Sequence, residues 1–226
     1  MDMFCFQCQE TAGNKGCTKS GVCGKKPDTA ALQDLLVFIS KGVSIPGSRA
    51  VEGSDDFLAA GRYLTGALFA TITNGNFDDG RFVDLIKEGI ALRDMLMKKY
   101  SGELEGELHE AATWAPGPGA DIEALKAKGL ETGVLSTRDE DVRSLRELLV
   151  YGLKGIAAYA HHAWVLGYEN DEIYSFIMKG LAATTQELSG EELTGLVLEA
   201  GKCAVDTMAL LDKANTGTYG DPEIRR

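Results

Sequence analysis

Apolar residues recur at spacings of three and four along most of the chain after residue 27, a pattern typical of amphipathic helices. The first predicted helix begins at Pro27, with Asp28 as its N-cap, and ends near Gly42. Residues 44–54 contain proline and glycine and are predicted to break the helical pattern. At the end of this segment, Ser54 is predicted to cap the second helix.

The second and third helices have well-defined apolar faces. The second is predicted to end at Asn74-Gly75, and the third to open at Asp78 or Asp79 and to run to about Tyr100. The predicted inward positions are Phe57, Ala60, Leu64, Ala67, Leu68 and Thr71 in the second helix, and Phe82, Leu85, Ile86 and Ile90 in the third.

The middle of the chain changes composition. Residues 101–120 are polar and then rich in proline and glycine, which predicts a linker. A short helix is predicted over residues 121–128, closed by Gly129. Residues 137–140 form a capping-box pattern that opens a long helix, and Gly167 ends it.

Two more helices follow. Asn170 is predicted to cap one of them, and the capping box Ser189-Gly-Glu-Glu192 to open the last, which fades at residues 215–217. The inward positions of the last helix are predicted to be Leu193, Leu196, Val197, Ala204, Met208 and Leu211. No stretch alternates at period two, so the predicted fold class is all-α.

The helical part of the chain contains an internal repeat. Three segments match at one constant offset: 32–38 with 145–151, 41–43 with 154–156, and 68–71 with 181–184. With two positions removed, the third helix matches the last one. We therefore predict two repeated three-helix bundles behind an N-terminal cysteine-rich loop. The predicted division is 1–27 for the loop, 28–100 for the first unit, 101–136 for a linker and 137–226 for the second unit.

Composition and charge restrict the classes of partner. The chain has 226 residues, of which 44% are hydrophobic and 25% are charged, and its net charge is −11. This charge argues against nucleic acid as a partner, because phosphate contacts need basic patches. No apolar run approaches the roughly 20 residues that span a membrane. Residues 1–27 carry four lysines and two acidic residues, a balance of +2, which leaves −13 for the remainder.

Four of the five cysteines lie near the start of the chain, at Cys5, Cys8, Cys17 and Cys23. No signal-peptide pattern precedes them, so a cytoplasmic, reducing location is expected and a disulfide framework is disfavoured. A structural zinc site is one interpretation. An iron–sulfur cluster is the other, and it fits better because only one short Cys-x2-Cys pair is present. Interspersed glycines permit the turns that such wrapping needs.

Other residues receive less specific interpretations. The four lysines of the loop form a basic collar that would raise the potential of an anionic metal centre. Cys203 is interpreted as a packing thiol on the last helix. The aromatic residues Tyr151, Tyr159 and Trp164 are predicted to lie in the core.

The opening Phe4-Cys-Phe-Gln-Cys-Gln-Glu-Thr-Ala12, followed by Gly16-Cys17 and Gly21-Val-Cys23-Gly-Lys25, resembles the N-terminus of the hybrid cluster proteins, also called prismane proteins or hydroxylamine reductases. Later segments share the resemblance: residues 32–36, 69–74, 140–149, 152–155, 208–212 and 214–220. The resemblance implies a [4Fe–4S] cluster on Cys5, Cys8, Cys17 and Cys23. It also implies a helical first domain made of two three-helix bundles.

The family's catalytic hybrid cluster is bound in two α/β domains, for which this sequence has no counterpart. The resemblance therefore implies an electron-transfer domain that relays single electrons to a hybrid cluster held elsewhere, and that alone does not turn over hydroxylamine. Its expected partners are a redox donor protein and either the α/β domains or another copy of itself, and neither nucleic acid nor membrane. Two alternatives remain open: a stand-alone ferredoxin-like carrier that docks on a partner, and a zinc-stapled structural bundle.

Overall fold

The computed structural model describes residues 2–73 and 75–223, and this part of the chain is helical without any β-strand. The all-α prediction is confirmed. In chain order the helices are α1 (Pro27–Gly47), α2 (Asp55–Ala70), α3 (Asp79–Tyr100), α4 (Ile122–Thr132), α5 (Glu140–Val165), α6 (Asp171–Ala183) and α7 (Gly190–Tyr219).

Most predicted helix starts are confirmed by their capping hydrogen bonds. The Ser54 side chain accepts from the Phe57 amide, and Asp78 accepts from the amide of Arg81. Asn170 caps α6, and Ser189 forms the predicted capping box with Glu192. Each cap satisfies amide groups that have no partner within the helix, which is why the sequence signal is reliable here.

The first helix differs from its prediction at both ends. Lys26, not Asp28, occupies the N-cap position, and Asp28 lies in the first turn. At the other end α1 continues through Pro46 to Gly47, so the predicted break at residue 44 is wrong. Gly42, Val43, Ser44, Pro46 and Gly47 are all buried. Burial of this last turn therefore outweighs the weak helix propensity of its proline and glycine residues.

Three later boundaries are also corrected. Gly129 does not close α4 but lies inside it, buried against α1. Asp139, not Thr137, caps α5. The last helix does not fade at residue 215 but continues to Tyr219. The predicted end at Asn74 lies outside the described residues, while α2 itself ends at Ala70.

The segment predicted as a linker is folded against the first helix. Ala111 and Ala112, in a short 3-10 turn, are buried. The buried guanidinium of Arg93 donates to the carbonyl oxygens of Ala111 at 3.0 Å and Trp114 at 2.6 Å. Helix α4 also packs on α1. Whether residues 101–136 divide the chain into separate units stays a prediction.

The helix boundaries follow the sequence repeat. The starts of α1 and α5 and the ends of α2 and α6 are separated by the same offset as the matching segments, and the starts of α3 and α7 differ from it only by the two removed positions. The packing repeats as well, because α1 lies against α2 and α3 as α5 lies against α6 and α7. Between the halves, α1 packs on α6 and α2 packs on α5. The same helix contacts therefore recur within each half of the chain, and the contacts between the halves are reciprocal.

One apolar core joins the two halves. It contains residues from α1, α2 and α3 together with residues from α5, α6 and α7, and the fully buried leucines include Leu35, Leu64 and Leu153. Tyr151, Tyr159 and Trp164 are not part of this core, since they are 52%, 43% and 37% exposed, and their predicted burial is wrong. Among the described helices, none combines the length and the apolar character that crossing a membrane would require.

The repeat supplies a matched pair of glycines for a stability test. A Cβ on Gly42 would overlap the carbonyl oxygen of Ala111, whereas one on Gly155, at the equivalent position in α5, would meet no atom within 4 Å. We expect Gly42→Ala to lower the free energy of unfolding by roughly 1–3 kcal/mol through overpacking. Gly155→Ala is expected to raise it by about 0.5–1 kcal/mol through helix propensity. Urea unfolding followed by circular dichroism compares the two, and equal effects would contradict the close approach of α1 to Ala111.

Candidate metal centre

The cysteine loop, residues 2–26, folds back on itself ahead of α1. The amide of Cys5 donates to the carbonyl oxygen of Cys17 at 3.1 Å, and the amide of Cys17 donates to the carbonyl oxygen of Cys5 at 2.9 Å. Met3, Cys17 and Ala30 form a small apolar cluster, against which Cys5 packs. The first and third cysteines of the motif therefore lie side by side on the N-terminal end of α1.

Glycines shape the loop as the sequence predicts. Gly13, Gly16 and Gly24 have φ angles of 60°, 150° and 89°, which side chains disfavour. At Gly16 a Cβ would also lie 2.5 Å from the ring of Phe4. Glycine is required at position 21 for a different reason, because a Cβ there would lie 2.9 Å from the Lys25 Cβ.

All four cysteines of the motif carry free thiols. Cys17 is buried, while Cys5, Cys8 and Cys23 are partly buried. Within residues 2–73 and 75–223, the side chains do not gather three or more cysteine, histidine or acidic groups in an arrangement that would hold a metal ion. The backbone thus brings the four residues into one loop without setting the sulfur atoms in a coordinating geometry.

The electrostatic surroundings favour the thiolate that a metal ligand needs. The backbone amides of Ala12 and Val22 lower the pKa of the Cys17 thiol by favouring its charged form. The Thr11 hydroxyl donates to the carbonyl oxygen of Cys5 at 3.0 Å, and its oxygen lies 3.8 Å from the Cys17 sulfur. In contrast, burial raises the pKa of Cys203 to about 11, in keeping with its interpretation as a packing thiol.

One lysine of the predicted collar differs from the rest. Lys25 is only 2% exposed, and its Nζ lies 2.6 Å from Gln33 Oε1 and 3.7 Å from the sulfur of Cys5. Lys15, Lys19 and Lys26 are exposed. The collar therefore reduces to a single buried cation beside the loop, because exposed charges are screened by water and salt.

The short Cys5-x2-Cys8 turn is tied to the second half of the chain through Gln7. The Tyr151 hydroxyl donates to the Gln7 carbonyl oxygen at 3.1 Å. In the amide orientation that satisfies both of its ends, Gln7 Nε2 donates to the Thr71 carbonyl oxygen at 3.2 Å and Oε1 accepts from Lys154 Nζ at 3.3 Å. The turn is thereby held by α5 and by the end of α2.

Beneath this turn lies a small cavity of about 40 Å³ between α1 and α5. Its lining includes two acids and two lysines, namely Asp34, Lys41, Glu147 and Lys154, as well as Cys5 and Gln7. Lys154 is buried and the other three are partly buried. We call these four residues the acid–lysine quartet.

Burial shifts the pKa values of the quartet in the directions that disfavour charge. It raises the pKa of Asp34 to about 7, against the attraction of Lys154, and it raises the pKa of Glu147. It lowers the pKa of Lys154 to about 8, against the attraction of Asp34 and Glu147. It also lowers the pKa of Lys41. The charge balance of this cavity is thus sensitive to any negative charge placed above it.

Gln7, Thr11, Tyr151 and the quartet were not predicted from the sequence as part of the site. A signal was present for the quartet, because the spacing from acid to lysine is the same on both helices, at the same place in both repeats. No local signal marks Gln7 or Tyr151, since their contact joins positions 144 residues apart.

The residues of the loop fit an iron–sulfur cluster chemically. Four free thiols, one with its thiolate favoured, match the cysteine ligand set of such clusters. Buried Lys25 supplies the positive charge and the hydrogen-bond donor that an anionic centre requires.

The raised pKa of Asp34 has a consequence for stability. A carboxyl with a higher pKa in the folded state makes the folded chain bind more protons, so its contribution to stability is present at low pH and is lost as pH rises toward about 7. We expect Asp34→Asn to lose less free energy of unfolding, by roughly 1–3 kcal/mol, between about pH 5 and about pH 8. Asp84→Asn, at an exposed site on α3, is the control. Identical pH profiles for wild type and Asp34→Asn, measured by urea unfolding, would contradict this assignment.

Comparison with known proteins agrees with the resemblance seen in the sequence. A family model described as Prismane/CO dehydrogenase matches residues 3–226. Hydroxylamine reductase of Desulfitobacterium hafniense (strain DSM 10664 / DCB-2) is 55% identical over 231 residues, covering 100% of this chain and 41% of the relative. That of Clostridium novyi (strain NT) is 52% identical over 229 residues, with coverages of 100% and 41%.

The chain spans about 41% of the length of these curated relatives. Proteins of the matched family bind iron–sulfur clusters, and the predicted resemblance to hybrid cluster proteins is confirmed. The match extends from the cysteine loop through α7, so loop and bundles are matched together as one stretch of sequence. On these grounds the chain belongs to the Prismane/CO dehydrogenase family.

Proposed function

We propose that this chain holds a [4Fe–4S] cluster on Cys5, Cys8, Cys17 and Cys23 and relays single electrons within a protein that reduces hydroxylamine. The observation that carries the proposal is the cysteine loop itself: four free thiols backed by a buried lysine. The similarity to hydroxylamine reductases, at 55% and 52% identity, supports the reaction class.

The chain's own residues would act as ligands and as an electrostatic environment. When bound, a [4Fe–4S] cluster supplies one-electron transfer, with a potential set by hydrogen bonds to sulfur and by solvent exposure. Cys17 contributes a thiolate favoured by backbone amides, and Lys25 places a cation near Cys5. The packing of Met3 and Cys17 on α1 limits the access of water on that side.

The partners are part of the proposal. Because the chain spans 41% of its relatives, we assign the reduction of hydroxylamine to protein beyond this sequence, and the supply of electrons to a separate redox donor. Several large apolar side chains on α5 and α7 are exposed, among them Val165, Leu198 and Val205. Such a surface supports contact with further protein, either the remainder of a longer chain or a second copy.

Metal analysis of the purified chain tests the cluster. We expect a brown protein that bleaches on reduction and contains about four iron and four sulfide per chain. Cys17→Ser is expected to lose most of this iron because it removes a ligand. Cys203→Ser removes a thiol on α7 outside the loop and should keep it. A colourless wild-type protein with one zinc would instead support the structural alternative and overturn the electron-transfer function.

Lys25 and Lys26 provide a neighbouring pair for a test of the potential. Loss of the buried charge 3.7 Å from the Cys5 sulfur stabilises the less negative, oxidised cluster. We expect Lys25→Ala to lower the reduction potential by roughly tens of millivolts, where about 59 mV corresponds to a tenfold change for one electron. Lys26→Ala, at an exposed position, should change it little. Redox titration followed by electron paramagnetic resonance makes the comparison, and equal shifts would restore the collar interpretation.

A further inference from the structure

The acid–lysine quartet is a product of the internal repeat. Residues that line the cavity on α1 have their equivalents on α5 one repeat offset later along the chain. The three equivalent pairs are Asp34 with Glu147, Val37 with Val150, and Lys41 with Lys154. The cavity therefore lies where the two halves of the repeat face each other, with an acid and a lysine contributed by each half.

The cysteine loop breaks this symmetry. It covers one side of the cavity, where Phe4, Cys5, Phe6 and Gln7 line it, and the sequence ahead of α5 carries no second cysteine-rich segment. The two lysines consequently have different neighbours. Lys154 lines the cavity beside Cys5 and Gln7, and it also lines a neighbouring pocket with Gln7 and Cys8. Lys41 lines the same cavity, but among the described residues its side chain forms no hydrogen bond with the loop.

Lys154 also reaches the loop through Gln7. In the amide orientation of Gln7 given above, Lys154 Nζ donates to Gln7 Oε1 at 3.3 Å, while Gln7 Nε2 donates to the Thr71 carbonyl oxygen at 3.2 Å. Gln7 lies between the ligand candidates Cys5 and Cys8. Its backbone carbonyl oxygen accepts from Tyr151, one turn before Lys154 on α5. A shift of Lys154 would therefore be transmitted directly to the Cys-x2-Cys turn.

We propose that Lys154 is a positioning residue for the metal centre, which holds the Cys5–Cys8 turn through Gln7 and adds positive charge beneath it from the second half of the fold. The part of this inference that concerns potential rests on the proposed function, because it presumes a redox-active cluster. The part that concerns anchoring rests only on the contacts of Lys154, Gln7 and Tyr151.

The repeat also explains how a buried lysine is tolerated at this position. Burying an ammonium group is costly unless it is paired, and Lys154 is 8% exposed. Asp34 and Glu147 both attract it, and Lys25 opposes them. The quartet thus compensates the charge of Lys154 from below while leaving its Nζ available to the loop above.

Lys154→Met and Lys41→Met form a matched pair of variants. Both remove one quartet lysine at equivalent helix positions and leave a side chain of similar length. We expect Lys154→Met to lower the reduction potential of the iron-loaded chain, with Lys41→Met causing a much smaller change. Equal potentials in the two variants would overturn the electrostatic part of the proposal, since any lysine in the cavity would then serve.

Hydrogen exchange tests the anchoring whatever metal the loop holds. We expect the amides of residues 4–9 to exchange at least tenfold faster in Lys154→Met than in Lys41→Met, because only the former loses the contact with Gln7. Equal protection overturns the anchoring even if the chain proves to contain zinc. Zinc with faster exchange in Lys154→Met would contradict the proposed function and leave the anchoring supported.

A variant that removes one lysine leaves the quartet with excess negative charge, and this alone can destabilise the fold. The charge-balanced doubles Lys154→Met/Glu147→Gln and Lys41→Met/Asp34→Asn avoid this, since each removes an acid and a lysine from one helix. We expect the same order of effects on potential and on exchange in the doubles. If both doubles match the wild type in both measurements, Lys154 has no positioning role.

Discussion

The structure depends on how negative charge is compensated where the cysteine loop meets α1 and α5. The thiolates of a metal-loaded loop would be unfavourable in this partly buried position unless cations and amide groups faced them. Lys25 supplies a cation from the loop, and Ala12 and Val22 supply amides to Cys17. Lys154 supplies a second cation from a helix in the second half of the chain. The surroundings of the loop therefore include cations from both halves of the fold.

The internal repeat explains why a helix of the second half contributes to the surroundings of the cysteine loop. Two related faces, one on α1 and one on α5, meet across a small cavity and each carries an acid and a lysine. With two acids and two lysines, a symmetric arrangement of this kind has a net charge close to zero. It needs no further compensating group from the loop above it. The single loop makes equivalent residues unequal, since Lys154 Nζ lies 3.3 Å from Gln7 Oε1, whereas among the described residues the Lys41 side chain forms no hydrogen bond with the loop. The segment predicted as a linker also makes two equivalent positions different. A Cβ at Gly42 would overlap Ala111, whereas one at Gly155 would meet no atom within 4 Å. Equivalent positions of the repeat thus have different surroundings.

Much of this fold was predictable from sequence because local rules governed it. Ser54, Asp78, Asn170 and Ser189 cap helices by hydrogen bonds within their own first turns, so no distant residue is needed to place them. The errors at Pro46 and Gly129 have the opposite cause, since both residues lie in helices that are buried against other segments. The role of the loop glycines was predicted from the sequence and is confirmed by their φ angles, while the four cysteines as metal ligands stay a prediction. Gln7, Tyr151 and the quartet were not predicted, because long-range packing decides whether a tyrosine or a lysine faces solvent or the loop.

Membership of the family and the residues of the loop together limit the function that can be proposed for this chain. A chain that spans 41% of its relatives does not carry their activity by similarity alone, so the chemistry assigned to it must come from residues it contains. At the loop those residues are thiols, amides and buried lysines, which suit an electron-carrying anionic centre. The cation in the second half adds a further condition. Lys154 contacts the loop through Gln7 from a helix that packs against α2. The surroundings of the candidate metal centre therefore include residues from both repeated segments of the chain.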